Sequence, residues 1–224
     1  MEWINSMLAH SLAYCPRWMI RPFANPYVAG KNIDDALKTI EEILSQGYST
    51  TLDILGEHVQ TESEAQIVRD EYSDLYEALG KINGDCTISL KITHIGLDIS
   101  ENLAMENLMV IVHKAREVSR GITIDMESSE LTDITLNIYK KTVAEFNQTG
   151  TVLQAYLFRS LDDLKNIDSP QLKLRICKGI YREPPEIAFQ TKKEIRSNFI
   201  TLVQTLLNGQ GTAQIATHDP IIID

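Results

Sequence analysis

Six short runs rich in β-branched residues, at 49–55, 86–92, 122–126, 151–157, 172–178 and 213–218, alternate with amphipathic stretches along the chain. Short, nearly continuous apolar runs of this kind suit strands buried on both faces, as in a parallel sheet. The stretches between them carry apolar residues at three-four spacing, the signature of a helix with one buried face. Ile33, Leu37, Ile40 and Leu44 form one such stripe, and Ala65, Val68, Tyr72, Leu75 and Leu79 a second. Leu103, Leu108, Ile111, Ala115 and Val118 form a third, Leu136, Tyr139, Val143 and Phe146 a fourth, and Ile195, Phe199, Leu202 and Leu206 another. Thr61 and Glu64 have the spacing at which hydroxyl and carboxylate satisfy each other's free amides at a helix start. Ser160 and Asp163 open a shorter helix. Gly47 closes the first helix, and Gly80 can supply a left-handed cap to the second.

Repeated strand-helix units imply a parallel sheet with right-handed crossovers, either open and doubly wound or closed as a barrel. The strand ends decide between them. Asp53, Lys91, Asp125, Gln154, Arg175 and His218 put a polar residue near the end of every run. In an open sheet only strands beside the switch point aim groups at a ligand, whereas in a barrel all of them ring one site. The expected fold is an α/β, (β/α)8 TIM-type barrel of about six strand-helix units over residues 30–224, behind a helical or extended segment at 1–29. Two further units complete such a barrel, so the chain reads as C-terminally truncated. Runs 49–55 and 213–218 are then open edges through which copies can associate.

The formal charge of −10, with 21 basic residues scattered among 31 acidic ones, excludes a nucleic-acid surface, which needs clustered Lys and Arg. Cys15, Cys86 and Cys177 are too dispersed for a zinc site or a disulfide framework, which points to a reducing compartment. No signal peptide and no membrane-length apolar run is visible, so a cytoplasmic protein is expected. Trp3, Met7, Leu8 and Trp18 leave open a peripheral contact with a membrane or a partner, against ordinary packing.

Dinucleotide and Walker glycine loops, metalloprotease histidine pairs and nucleophile elbows are all absent. The five histidines show no metal-ligand spacing. His10, His58 and His113 read as surface or helix residues, while His94 and His218 each follow a strand. Lys91, in a strand and on one face with Ser89 and Thr93, is either ligand-facing or half of a structural ion pair. Asp125 and Glu127, two carboxylates on one face, have the same two readings. Around Arg175, cations alternate with apolar residues up to Gly179, which lets backbone approach a ligand while the guanidinium supplies a rigid fork of donors. Thr217 and His218 end the last run with a hydroxyl and an imidazole, a plausible grip on an anion or cofactor.

These motifs occur in a specific order: Thr51-Leu52-Asp53 with Leu55-Gly56-Glu57, Ser89-Leu90-Lys91, Ile124-Asp125-Met126-Glu127, Val152-Leu153-Gln154-Ala155-Tyr156, Lys178-Gly179-x-Tyr181-x-Glu183-Pro184-Pro185, and Ala216-Thr217-His218. In that order, from about Arg21 to Asp219, the chain resembles the proline dehydrogenase family, especially its short monofunctional bacterial members. The resemblance implies a (β/α)8 barrel holding FAD, oxidation of L-proline to Δ1-pyrroline-5-carboxylate, and electrons passed to a quinone-type acceptor. It assigns Lys91 to the substrate carboxylate, Asp125 and Arg175 to the catalytic pair, and Tyr181 to the wall of the site. Met126, Gln154, Lys178, Gly179, Ile180, Thr217 and His218 match FAD-contacting positions, and Glu57 a carboxylate that pairs with an arginine above the barrel. It assigns no metal.

Cys177 and Ile180 depart mildly from the family's smaller or plainer residues. The family's last helix, with a tyrosine and two adjacent arginines that clamp the proline carboxylate, has no counterpart before Asp224. Two other readings remain at this stage. One is a Schiff-base lyase using Lys91 or Lys178; the other is an inactive barrel that binds flavin or a partner.

Overall fold

The computed structural model of the chain describes residues 28–30 and 32–223. The N-terminal segment expected at 1–29 lies outside them except for Val28 and Ala29, and so do Trp3, Met7, Leu8, His10, Cys15 and Trp18. Two compact units divide between Tyr48 and Ser49. The first contains α1 (Ile33–Ser45), whose start is capped by the Asn32 side chain accepting from the Asp35 amide at 2.9 Å. Asp34 and Asp35 in its first turn suit the positive end of the helix dipole.

The second unit runs β1 (Thr50–Asp53), α2 (Glu62–Leu79), β2 (Cys86–Leu90), α3 (Glu101–Glu117), β3 (Ile122–Ile124), α4 (Thr132–Glu145), β4 (Thr149–Gln154), α5 (Ser160–Ile167), β5 (Lys173–Cys177), α6 (Lys192–Leu207), β6 (Thr212–Ile215) and α7 (Pro220–Ile223). All six strands pair in parallel, in the order β1-β2-β3-β4-β5-β6. Registered neighbours point to one side of a sheet, so the pairing sorts the residues into two faces. Leu52, Ile88, Leu90, Ile122, Ile124, Leu174 and Ile176 share one. Thr51, Asp53, Ser89, Thr123, Val152 and Arg175 share the other, and their alternation continues to Lys91, Asp125 and Gln154.

Two long-range hydrogen bonds cross the inner face of the sheet, and the longer of them accords with a curled sheet. Arg175 on β5 reaches Asp125, just past β3, across the whole of β4. Tyr181, after β5, reaches Glu57, after β1. A flat sheet, with strands about 4.8 Å apart, would hold β1 and β5 about 19 Å apart. The six strands therefore form a curled half-barrel with the polar face inside, which is the expected barrel architecture. β1 and β6 each pair on one side only.

Helix starts follow the sequence closely. Thr61 and Glu64 form the capping box of α2, and Thr191 and Glu194 form one for α6 that the stripe alone did not reveal. Ser100 caps α3, accepting from the Leu103 amide at 3.1 Å. α2 and α3 bury Val68, Tyr72, Leu75, Leu108, Ile111 and Val112. Each fully buried side chain of this size contributes about 1.5–3 kcal/mol.

Two expectations are corrected, and a helix start located from the sequence at Ser160 is built without a side-chain cap. Gly80 is right-handed, with φ −60° and ψ −20°. The α2–β2 turn is held from outside, by the Arg120 guanidinium donating to the carbonyls of Leu79, Ile82 and Gly84. Ser160 begins α5 without capping it; its hydroxyl donates to the Gln154 carbonyl at 2.6 Å, and Asp163 accepts from Arg159 instead. Finally, β2 ends at Leu90, so Lys91 lies just beyond the strand and Thr93 belongs to a 3-10 turn, Thr93–Ile95. Among the described residues no helix is long and apolar enough to cross a membrane.

Candidate active site

Five of the six strand-end residues, Asp53, Lys91, Asp125, Gln154 and Arg175, share the inner face at the C-terminal end of the sheet, and four of them form two ion pairs. Lys91 Nζ donates to Asp53 Oδ2 at 3.0 Å. Tyr72, fully buried in α2, donates its hydroxyl to Asp53 Oδ1 at 3.1 Å. Asp53 is thus fixed from both sides. Burial pushes the Lys91 ammonium toward losing its proton, but the charge and hydrogen bond of Asp53 outweigh it and hold the pKa above the usual lysine value.

Arg175 Nη1 donates to Asp125 Oδ1 at 2.9 Å, and both side chains are only 19% exposed. Desolvation raises the Asp125 carboxyl to about 6, although Arg175 pulls it down. Beyond β3 the alternation breaks. Glu127 turns away from Asp125 and accepts from both the amide and the hydroxyl of Thr93. The two carboxylates read from sequence as one cluster therefore serve different partners. Met126 between them is buried.

At the ends of β4 and β5 the backbone is held tightly. The Ala155 and Tyr156 amides donate to the carbonyls of Cys177 and Lys178 at 2.8 and 3.0 Å. Gly179 then takes φ +102°, and a Cβ there would stand 2.3 Å from the Tyr156 ring. Only glycine lets the chain lie on that ring. Ile180 follows at 87% exposure, projecting from the mouth. Tyr181 donates its hydroxyl to Glu57 Oε2 at 3.0 Å. Glu183 ties the same loop to the segment after β3, accepting from the Ser129 amide at 2.7 Å and its hydroxyl at 2.6 Å. Gln154 is buried, and its Oε1 has no hydrogen-bond partner among the described residues.

Past β6, Thr217 is half-buried and His218 exposed. The Thr217 hydroxyl oxygen accepts from the Asp219 amide at 3.0 Å. Asp219 Oδ2 in turn accepts from Lys178 Nζ at 2.6 Å and from Arg196 of α6 at 2.9 Å. Tyr72, Tyr156 and Arg196 looked like helix or strand residues in the sequence; only the folded chain shows what they touch.

Two other features lie near the site or opposite it. The ligating atoms of Glu57, His58 and Glu127 come within 4.8 Å of one another. Each is already engaged, by Tyr181, Asp98 and Thr93 respectively. A cavity of about 250 Å³ opens at the opposite end of the strands, beside Asp85, Arg120, Gln148 and Lys173.

The chain matches known proteins along most of its length. A family model described as proline dehydrogenase matches residues 36–220. Proline dehydrogenase 1 of Bacillus subtilis subsp. natto is 39% identical over 201 residues, 89% of this chain and 66% of the relative. Proline dehydrogenase of Deinococcus radiodurans is 33% identical over 206 residues, 90% of this chain and 66% of the relative. The chain thus spans about two thirds of the length of these curated relatives. A crystal structure of proline utilization A from Bdellovibrio bacteriovorus, inactivated by N-propargylglycine, shares the fold at a TM-score of 0.74 and 24% identity, over 84% of this chain and 24% of that one. With the family model covering the whole run of strands that carries the paired charges, the chain belongs to the proline dehydrogenase family.

Proposed function

We infer that this chain carries the flavin-binding side of a site that oxidises L-proline to Δ1-pyrroline-5-carboxylate, with electrons leaving to a quinone-type acceptor. The observation that carries the reading is the pair of bridges Asp53–Lys91 and Asp125–Arg175 on one inner face, in a chain of this family.

The residues present fit FAD. Gln154 offers a buried, unengaged acceptor suited to an imide N–H. Arg175, Lys178, Thr217 and His218 supply donors, while Met126 and Ile180 supply apolar surface. When bound, the flavin supplies the acceptor for the hydride that leaves the proline carbon beside nitrogen. Lys91 binds and orients the substrate carboxylate, held in place by Asp53. Arg175 brings positive charge to the place where negative charge develops, and Asp125 anchors its guanidinium through Nη1. Tyr181 and Glu57 wall the mouth.

A Schiff-base role for Lys91 runs against its chemistry, because such a lysine must lose its proton easily and this one is held protonated. A barrel that binds flavin without turnover is separated by the same experiment that tests the main reading. The purified chain is loaded with FAD and mixed anaerobically with L-proline in a stopped-flow cell. Loss of the flavin's visible absorbance is expected. Arg175→Ala should slow that loss by an amount equivalent to about 2–4 kcal/mol in the barrier while retaining flavin. Unchanged reduction kinetics in the variant would count against the assignment.

A further inference from the structure

Lys91 is drawn by more than one carboxylate. Asp53 takes it at 3.0 Å, while Asp125 and Glu57 also act on its charge. Which of them holds the ammonium decides where its remaining protons point. An ammonium has three protons, and Asp53 accepts one of them. The others serve a ligand well only if that bond has a fixed direction. The two partners do not fix it by themselves, since a lysine stem is flexible and the Asp53 side chain is 26% exposed.

Tyr72 supplies the constraint. It belongs to the buried stripe of α2 and is fully buried. Its hydroxyl donates to Asp53 Oδ1 at 3.1 Å, and the Ile54 carbonyl lies at 3.4 Å. Among the described residues no other hydrogen bond reaches Oδ1. A phenol oxygen lies on the axis of its ring, so it moves only when the ring moves. That ring packs edge-on against His94, with centroids 6.2 Å apart and planes at 81°. His94 in turn lies on Gly56, where a Cβ would fall 2.1 Å from Nε2. Gly56, His94 and Tyr72 therefore brace one another behind Asp53. Burial holds the Tyr72 phenol far above its usual range, so it remains a donor at ordinary assay pH.

We propose that the fully buried Tyr72 is a positioning residue: by pinning Asp53 it keeps Lys91 on the β1 side of the site, away from Asp125, and so sets the affinity for the substrate carboxylate. This deepens the proline reading and rests on it for the identity of the substrate. It also accounts for two separate bridges on one face. With Lys91 retained by Asp53, Asp125 is left to Arg175. The support comes from a helix on the far side of the sheet, which is how a rigid element lends its precision to a flexible side chain.

The test compares the native chain, Tyr72→Phe, Asp53→Asn and the double variant in two measurements. One is anaerobic reduction of bound FAD at rising L-proline concentration. The other is the rate at which acetic anhydride labels Lys91 relative to the exposed Lys81, read by mass spectrometry. Tyr72→Phe keeps the ring and removes one hydrogen bond. It should raise the half-saturating proline concentration about fivefold, the scale of one such bond, and leave the limiting rate within about twofold. Labelling of Lys91 should quicken severalfold. Asp53→Asn should do both at least as strongly, and adding Tyr72→Phe to it should change neither further. A limiting rate or flavin affinity that falls in proportion, or a Tyr72→Phe effect that persists without the Asp53 carboxylate, marks a structural role and overturns the proposal. So does Asp53→Asn with native half-saturation and labelling, a comparison that needs no Tyr72 variant to fold. A native chain whose flavin is not reduced by proline, but whose Lys91 labelling depends on Tyr72 through Asp53, supports the positioning and overturns the proline reading alone.

Discussion

At Asp125 burial and charge pull in opposite directions. Desolvation favours the neutral acid, the Arg175 guanidinium favours the carboxylate, and burial wins, setting the pKa at about 6 against an ordinary 3.8. The sign of the consequence follows from proton counting. Between those two values the folded chain holds more protons than the unfolded one, so stability falls as pH rises through the window. Below it the group contributes nothing to the pH dependence, and above it the full cost of about 3 kcal/mol applies. Asp125→Asn has no such titration. The melting temperature of the variant should therefore gain on that of the native chain from pH 4 to pH 7, measured in parallel thermal melts. Parallel curves across that window would refute the assignment. The same titration governs the pair: below about pH 6 the carboxyl is mostly neutral and Arg175 loses its counter-charge.

At the level of elements, Arg120 shows how a turn can be fastened from a distance. It reaches from the segment before β3 to three carbonyls around the end of α2, where a helix leaves its last acceptors unpaired. Arg120→Ala should cost about 2 kcal/mol, the scale of hydrogen bonds to a charged group. Urea unfolding is the measurement, and Arg120→Lys should recover only part, since an ammonium lacks the fork. Flavin affinity should stay unchanged, because this end of the sheet lies opposite the charged pairs. The contact also marks what the sequence could disclose. Strand positions, helix stripes and the Thr61–Glu64 box are local patterns, and each appears in the fold within a few residues of its expected bounds. The polar strand ends were legible too, because the inward face repeats every second residue. Gly80 was misread because a left-handed cap is one of several ways to satisfy carbonyls, and here a residue 40 positions away does it. Arg196 meets Asp219 across 23 residues and an intervening strand, and nothing in either neighbourhood announces the other.

For the whole unit, the bonds that cross the mouth form a class apart. Tyr181 and Glu57 are separated by 124 residues, yet they share a hydrogen bond between the loops after β5 and β1. Closing so long a loop costs entropy before any contact repays it, so this bond forms late. Tyr181→Phe should therefore leave refolding nearly unchanged and speed unfolding about fivefold, equivalent to about 1 kcal/mol. Both limbs of a denaturant chevron report it, and a slowed folding limb would contradict late closure.

The sequential order of the strands reaches into how the molecule is made. Since the sheet's order repeats the chain's, every strand after β1 emerges from a ribosome with a partner already synthesised. At about 5–20 residues per second, one strand-helix unit follows another within seconds. From β1 to β5, the leading edge of each strand is paired by the next arrival, and each apolar face is covered by the helix that follows its own strand. For these six strands, birth order is pairing order.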